Sequence, residues 1–330
     1  MKNSTKPSRR VAIAALLATA ALVGTSPARA AWPDKPITLV VGYAPGGSVD
    51  VVARLVATPL SKRLGQPIVI ENMGGAGGAI GATRVAKAPA DGYTLMVGSG
   101  SEVAIAWATN PNLKYNGLTD LAPVGLISTS PMVLVGNKTV AAHDMAGLLQ
   151  YGKANPGKLS LATSGVGTPQ HLLLEYMNRK AGADILHVPY RSAASIVQDV
   201  IGGRVNLSIL TLSTAQPFIA SGQLRAYAVT GDEAAAALPG VPAITKSPAL
   251  KGEVFDLWFG MLAPAGVPAG IIARVNTELN EVLKQPEVRE ALVKQGMSVA
   301  PGTPAQFGAY IKADSQKYQK IIKEAGIVVN

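Results

Sequence analysis

Residues 43–50 combine the residue types that hold an anion through backbone amides. The segment reads Tyr-Ala-Pro-Gly-Gly-Ser-Val-Asp and joins an apolar run to a helical pattern. Gly46 and Gly47 allow a tight turn, and Ser48 is a suitable N-cap. The amides of a first helical turn lack intrahelical partners and carry the positive end of the helix dipole, so they attract a carboxylate or phosphate. The segment predicts an anion site, with an ordinary strand-to-helix turn as the alternative.

Residues 164–171, Ser-Gly-Val-Gly-Thr-Pro-Gln-His, repeat this design farther along the chain. Thr168 can cap the following helix, Pro169 suits its first position, and we expect the amides near Gly167 to be free. His171, just inside the helix, is the histidine that we place at the site. Ligands of open parallel sheets bind beyond the carboxyl ends of the strands, where both loops would lie. Two such loops on opposite lobes predict a clamp around one anion.

Two glycine-containing segments resemble nucleotide-binding motifs without meeting their requirements. In the cluster at 71–78, Ile80 stands where a dinucleotide fingerprint needs its third glycine, so a tight turn is the better interpretation. The segment 152–158 has the spacing of a phosphate-binding P-loop, but Leu159 occupies the position of the hydroxyl residue, and a helix precedes it where a strand should. We therefore expect no cofactor.

Residues suited to catalysis or metal binding are sparse. The histidines are His143, His171 and His187, and the chain contains no cysteine. No histidine pair has the i, i+4 spacing of helical metal ligands, and no G-x-S-x-G segment presents a nucleophilic serine. We predict a binding protein without a metal and not an enzyme; an α/β hydrolase is the alternative from another class.

The elements that position these loops follow from an alternation of short apolar runs and helical patterns, which predicts an α/β fold with parallel sheets. The predicted strands are 37–42, 67–71, 93–98, 123–128, 131–136, 159–163, 185–188, 205–210, 224–230 and 257–263. The predicted helices are 48–64, 78–87, 145–155, 169–180, 192–201, 268–284, 286–295 and 304–325.

The alternation occurs in two series with no low-complexity linker between them. We expect two lobes joined by crossing strands that act as a hinge. Residues 31–132 and 257–330 would form the first lobe, onto which the C-terminal helices pack, and residues 133–256 would form the second.

Residues 1–30 have the pattern of an export signal. Basic residues precede an apolar run at 11–24, and the segment ends in Ala-Arg-Ala, which suits a signal peptidase. Because the run is shorter than the roughly 20 residues that span a bilayer, we predict cleavage after Ala30 and a protein free in the periplasm. The arginine pair at 9–10 leaves the general and twin-arginine export routes both open.

The charge of the chain argues against one class of partner. It has 30 Lys and Arg residues against 20 Asp and Glu, and five of the basic residues fall in 1–30. The remaining excess is dispersed rather than clustered with aromatic residues, so nucleic-acid binding has little support. A mild positive charge suits a small anionic ligand.

Motifs in the same order along the chain resemble the extracytoplasmic receptors of tripartite tricarboxylate transporters, the Bug family. The motifs are Trp-Pro-Asp-Lys-Pro-Ile at 32–37, Tyr-Ala-Pro-Gly-Gly at 43–47, Leu-Gly-Gln-Pro at 64–67, Gly-Ala-Gly-Gly at 75–78, Asp-Gly-Tyr-Thr-Leu at 91–95, Ala-Asn-Pro-Gly-Lys-Leu at 154–159, His-Val-Pro-Tyr at 187–190, Trp-Phe-Gly at 258–260 and Ala-Pro-Ala-Gly at 263–266.

This resemblance implies a two-lobed periplasmic binding protein fold of type II-like form, with a ligand cleft between the lobes. It implies a monomeric receptor that captures a small carboxylate and delivers it to membrane permease subunits, although a sensor role in signalling stays open. By position it implies ligand contacts from Tyr43, Ala44, Gly46, Gly47, Ser48, Asp50, Ser99 and Ser101 on one lobe, from Ser164, Gly167, Thr168 and His171 on the other, and from Tyr190 and Arg191 on the hinge side.

The sequence departs from the family pattern at two places. Leu210-Thr211 stands where many members have Asp-Asn, which argues against an amino-acid ligand and adds Thr211 to the predicted site. Tyr190 is followed by Arg191-Ser192 rather than by a basic residue and glycine, so Arg191 meets either a second carboxylate or solvent.

Overall fold

The computed structural model describes residues 32–110, 112–190, 192–231, 238–250 and 254–325. The strands are β1 (Ile37–Val41), β2 (Ile68–Asn72), β3 (Thr94–Ser99), β4 (Leu121–Ser130), β5 (Met132–Asn137), β6 (Leu159–Thr163), β7 (Ile185–Pro189), β8 (Leu207–Thr211), β9 (Leu224–Val229), β10 (Leu257–Pro264) and β11 (Ser298–Val299). The helices are α1 (Ser48–Leu64), α2 (Ala79–Ala86), α3 (Ala106–Thr109), α4 (Met145–Ala154), α5 (Pro169–Ala181), α6 (Ala193–Ile201), α7 (Leu212–Ala220), α8 (Ala269–Lys284), α9 (Pro286–Lys294) and α10 (Pro304–Ala325).

A six-stranded sheet in the order β11-β4-β10-β3-β1-β2 forms the core of the first lobe. Strands β1, β2 and β3 are parallel, whereas β10 runs antiparallel to β3 and β4. β3 is buried along its whole length, as expected of a strand covered on both faces. The helix α8 packs on α1, and α10 packs on β4.

A five-stranded sheet in the order β7-β6-β8-β5-β9 forms the core of the second lobe. β6 is parallel to β7 and β8, and β5 is antiparallel to β8 and β9. The prediction of parallel sheets is therefore wrong for both lobes, which are mixed. The physical reason is that the chain crosses between the sheets twice, so β5 and β10 enter their sheets from the opposite lobe and run against their neighbours.

The two crossings lie side by side and are hydrogen-bonded to each other. One crossing passes from β4 to β5 through Pro131, and the other leaves β9 at Thr230. The Met132 amide donates to the Thr230 hydroxyl oxygen at 2.9 Å, and the Thr230 amide donates to the Met132 carbonyl at 2.9 Å. The Thr230 hydroxyl in turn donates to Asp256, just before β10. The lobes are thus joined by two hydrogen-bonded crossing segments, as the lack of a low-complexity linker predicts, and their action as a hinge stays a prediction.

Every predicted strand and helix is present, with its ends within two residues of the prediction. Four elements were not predicted from the sequence: the π-helical turn Ser101–Ile105, the adjoining α3, the helix α7 and the two-residue strand β11. Three short 3-10 turns, at Ala76–Gly78, Ile244–Lys246 and Pro248–Leu250, were not predicted either. The helix α7 contains Pro217, and because proline is unfavourable inside a helix, the sequence pattern did not indicate one there. Within the described part of the chain, no helix is both long and apolar enough to span a membrane.

Candidate ligand-binding cleft

A cavity of about 310 Å³ lies between the two lobes. It is bounded on both sides by backbone-rich segments rather than by charged side chains. Its walls are Ala76, Gly77, Ala79, Ser101, Ala106, Thr109, Asn110 and Leu113 from the first lobe and Ser164, Gly165, Val166 and Gly167 from the second. The structure therefore brings the predicted residues Ser101, Ser164 and Gly167 to one cavity.

The loop before α1 is held from beneath by a buried carboxylate. Asp50 is 2% exposed, and its Oδ2 accepts from the Gly46 amide and from Arg54 Nε, both at 2.9 Å. Its Oδ1 accepts from Asn72 Nδ2 at 2.9 Å, and the same amide group donates to the Tyr43 carbonyl. Burial raises the pKa of Asp50, but these hydrogen bonds outweigh it and lower the pKa to about 2. Asp50 is thus an ionised brace that fixes the loop from behind.

This brace changes the predicted role of Ser48. The helix begins at Ser48 itself, Gly47 occupies the N-cap position, and no side chain caps the helix. The prediction that Ser48 is the N-cap is therefore wrong, because Asp50 reaches back to the Gly46 amide and fixes the turn instead. The first bond of α1 runs from the Val51 amide to the Gly47 carbonyl. The amides of residues 48–50 hence lie outside the helical ladder, as an anion site requires.

A buried glutamate, Glu102, organises the wall beside this loop. Its Oε1 accepts from the Ser99 amide at 2.7 Å, and its Oε2 accepts from the Ser99 hydroxyl at 2.6 Å and the Tyr43 hydroxyl at 2.9 Å. The π-helical turn that starts at Ser101 turns Glu102 inward, and the Tyr115 hydroxyl donates to the Glu102 carbonyl at 2.6 Å. Tyr43 and Ser99 are therefore joined through a residue that the sequence analysis did not identify.

The loop before α5 is braced in a different way. Thr168 is the N-cap, its hydroxyl accepting from the His171 amide at 3.4 Å and donating to the Gly165 carbonyl at 2.8 Å, with Pro169 in the first turn. This confirms the predicted cap. However, the Gly167 amide donates to His171 Nδ1 at 3.1 Å. The expectation of a free amide at Gly167 is therefore wrong, because the imidazole takes it.

His171 lies beneath the loop, stacked on a second histidine. The rings of His171 and His187 are 4.1 Å apart between centroids, and Thr163 Oγ1 lies 2.6 Å from His187 Nε2. Glu175 Oε1 lies 3.7 Å from His171 Nε2. Burial lowers the pKa of both histidines, and the neighbouring His171 contributes to a pKa of about 4 for His187. The stacked pair is thus neutral at neutral pH and supports the loop without adding charge.

None of the other described residues of the predicted site, including the whole first loop at 43–50, is part of the cavity wall. Ala44 and Gly47 are exposed on the first loop. The Tyr190 hydroxyl donates to Asp199 Oδ2 at 2.7 Å, on the side of α6. Thr211 precedes α7 and pairs its hydroxyl with that of Thr214 at 2.7 Å. Arg191 lies outside the described residues.

Sequence reasoning missed Glu102 and Asn72 as supports of the first loop. The partners of Asn72, which are Tyr43 and Asp50, lie 29 and 22 residues away along the chain, and Glu102 lies in a turn that was not predicted. The one available signal was a Glu set in a stretch of small and apolar residues at 98–106, where a charge costs free energy unless it has partners. Across the described residues, no cluster of His, Asp or Glu is arranged to hold a metal ion.

Two lobes, two braced crossings and a cleft lined by loops at strand ends define a class of protein: an α/β receptor that binds a solute between its lobes. A family model described as the tripartite tricarboxylate transporter family receptor matches residues 52–327. The chain therefore belongs to this receptor family, and the resemblance stated from the sequence is confirmed.

Individual relatives agree with this assignment. The chain is 36% identical to protein BugT of Bordetella pertussis, covering 89% of this chain and 90% of BugT. An R. palustris protein solved with adipate is 33% identical with a TM-score of 0.81, covering 90% of this chain and 99% of its own. MatC from Rhodopseudomonas palustris, solved with malate, is 31% identical with a TM-score of 0.78, covering 88% and 100%. The periplasmic binding protein BugD is 32% identical with a TM-score of 0.78, covering 90% of this chain and 99% of BugD.

Proposed function

We propose that this receptor captures a small organic carboxylate in the cleft between its lobes and delivers it to membrane permease subunits of a tripartite transporter. The observation that carries the proposal is a cavity between the lobes whose walls are backbone-rich segments of both, including the loop at 164–167. On the first loop, the amides at the start of α1 lie outside the helical ladder. Amides in that position attract an anion without a basic side chain. The relatives solved with adipate and malate bind acids of this chemical class.

The ligand would be held mainly by backbone groups, with the side chains tuning the fit. The proposed contact residues are Tyr43, Ala44, Gly46, Gly47, Ser48, Ser99 and Ser101 on the first lobe and Ser164, Gly167, Thr168 and His171 on the second. Asp50 acts through the loop that it braces. Tyr190 and Arg191 stay as predicted residues on the hinge side, and Thr211 stays as a predicted ligand contact; all three are to be tested by substitution.

The architecture around the site follows from the same proposal. The first lobe comprises 31–132 and 257–330 and the second 133–256, a division supported by the two sheets and the two crossings between them. The protein is exported, cleaved after Ala30, and works as a monomer in the periplasm. It is not an enzyme, in keeping with relatives that are receptors.

Calorimetry and thermal shift against a panel of acids test the ligand class. The panel contains monocarboxylates, adipate, malate, tricarboxylates, amino acids and the dimethyl esters of adipate and malate. Because carboxylates ionise near pH 4, the anion is the form present at neutral pH, and we expect at least one acid to bind while its ester does not. Binding of esters and acids with equal affinity, or of neutral solutes only, would contradict the proposal.

A further inference from the structure

Glu102 lies directly behind the wall of the cleft. The residue is 0% exposed, although Ser101 beside it lines the cavity. Gly77 and Ala79 also line the cavity, and a methyl group placed on Gly78 between them would come within 2.9 Å of the Glu102 carboxyl carbon. The carboxyl group is thus one residue layer from the space in which an anion would bind.

The groups that donate to this carboxyl are all uncharged. They are the Ser99 amide, the Ser99 hydroxyl, the Tyr43 hydroxyl and the backbone amide of Glu102 itself. Burial therefore prevails over these hydrogen bonds and raises the pKa of Glu102 to about 7. A pKa near 7 puts the ionised and protonated forms of Glu102 in balance at neutral pH.

The titratable groups on the neighbouring elements do not neutralise Glu102. Tyr115 donates its hydroxyl to the backbone carbonyl of Glu102, not to the carboxyl. On α10, Asp314 faces Gly100, but it accepts from Trp258 Nε1 at 2.7 Å and pairs with Lys317 Nζ at 2.6 Å. On α2, Arg84 is exposed. Lys317 is thus paired with Asp314.

The hydrogen bonds around Glu102 accommodate either protonation state. The Tyr43 hydroxyl has one proton and lies 2.9 Å from both the Gly77 carbonyl and Glu102 Oε2. When Glu102 is ionised, Tyr43 donates to it. When Glu102 is protonated, the acid donates to the Tyr43 oxygen and Tyr43 donates to Gly77. Protonation therefore reverses a short chain of hydrogen bonds and leaves no group unpaired.

We propose that Glu102 couples ligand binding to protonation, taking up as much as one proton from solvent when an anion binds in the cleft. Two negative charges across a wall of low polarity repel each other, and the proton removes that repulsion. The inference rests on the proposed function, because it requires an anion in this cleft. By linkage, a bound anion holds the proton on Glu102, and a proton on Glu102 raises the affinity for the anion.

The expected pH dependence has a definite sign. Below the pKa of about 7, Glu102 already carries its proton and affinity for a fully ionised acid is highest. Above it, affinity falls by up to about tenfold per pH unit until the bound state also loses the proton. The protein therefore takes up a fraction of a proton per anion near pH 7 and approaches one at about pH 8.

Calorimetry with adipate as the probe, in two buffers of different ionisation enthalpy at about pH 8, measures this uptake directly. Glu102→Gln mimics the protonated acid, so we expect up to about tenfold tighter binding than the unmodified protein at this pH, with no proton uptake. Glu290→Gln is the matched control, since Glu290 is exposed on α9, and should behave like the unmodified protein.

A second measurement covers the case in which Glu102→Gln fails to fold. In the unmodified protein with isotopically labelled glutamate, the infrared carbonyl band of a protonated acid should grow when adipate is added at about pH 8. Binding without proton uptake, or weaker binding by Glu102→Gln with unchanged uptake, would overturn this inference alone. No binding of adipate, malate or any acid of the panel would overturn the proposed function and this inference with it.

Discussion

The loops at 43–50 and 164–171 both place glycine before a hydroxyl residue at the start of a helix, but different side chains hold them in place. Below the first loop, the Asp50 carboxylate accepts from the Gly46 amide, and the amides at 48–50 stay outside the helical ladder. In the second, Thr168 and His171 bind the amides of His171 and Gly167, and Pro169 has none to give. An acidic brace thus keeps donors available, whereas a hydroxyl and an imidazole consume them. The first loop should supply most of the affinity for the anion, and the second should supply shape.

The largest effect should come from a side chain on the first loop. Gly47 has φ −75°, and a methyl group there would lie 3.6 Å from the Ala44 carbonyl, so a larger residue fits the fold. Gly47→Val places a branched side chain where ligand and backbone must approach, and we expect binding to be lost with little change in stability. Calorimetry and thermal unfolding measure the two quantities. Val166→Ala, an exposed position on the second loop, is the comparison and should bind nearly normally. If both variants lost ligand affinity to the same extent, the claim that the first loop contributes more to binding than the second would be wrong.

Removal of the acidic brace should come next. Asp50→Asn weakens the hydrogen bonds from Gly46 and Arg54, and we expect a loss of about 1–2 kcal/mol in the free energy of unfolding at neutral pH. Because the pKa of Asp50 is lowered from 3.8 to about 2, its contribution is fully present above pH 3.8 and is lost as pH falls through about 2. Denaturant unfolding of both proteins across this range should show the difference shrinking in acid. A difference that stays constant would mean that the carboxylate charge is not what braces the loop.

The caps of the two helices should respond differently to the same substitution. Thr168→Ala removes an N-cap and should lower the free energy of unfolding by about 1 kcal/mol. Ser48→Ala removes no cap and should leave stability nearly unchanged, while weakening ligand binding by about 1 kcal/mol if the hydroxyl meets the ligand. Thermal unfolding together with calorimetry separates these outcomes. A stability loss at Ser48 as large as that at Thr168 would show that both loops are capped alike.

The smallest effect should be the response of the second loop to acid. The folded protein holds His187 neutral, with its pKa lowered from 6.5 to about 4, so the folded state binds fewer protons than the unfolded one. His187 therefore does not lower the free energy of unfolding above pH 6.5, and it lowers that free energy progressively as the pH falls from 6.5 toward about 4. Because His187 is partly exposed, we expect only about 1 kcal/mol, measured as the difference between the protein and His187→Gln. If that difference did not change over this pH range, the claim that the folded protein keeps His187 neutral would be wrong.

Most of the secondary structure could be predicted from local sequence patterns. The helix α1 was predictable to the residue because its apolar positions recur at helical spacing and Gly65 ends it in a left-handed conformation. The directions of β5 and β10 could not be predicted in this way. They depend on how the chain crosses between the lobes at Pro131 and Thr230, and local residue spacing carries no information on that.

The sequence was enough to predict which loops form the candidate site, but not which hydrogen bonds these loops make. Glycines and hydroxyl residues at strand ends indicated where a ligand could approach. Which amides remain available depends on partners such as His171 for Gly167, and on supports such as Asn72 and Glu102 that come together only in the folded chain. Ser48 is an example: its hydroxyl is a suitable cap by residue type, but in the structure the Asp50 carboxylate, two residues later, binds the Gly46 amide and fixes the turn.

Amide chemical shifts in the isotopically labelled protein report directly which backbone amides meet the anion. On titration with adipate or another acid that binds, we expect the largest displacements at the amides of Ser48, Val49 and Asp50, with smaller ones at Ser164 and Val166. The Gly167 amide, committed to His171, should move little. Displacements confined to 164–170, with residues 48–50 unchanged, would contradict the claim that the first loop holds the anion.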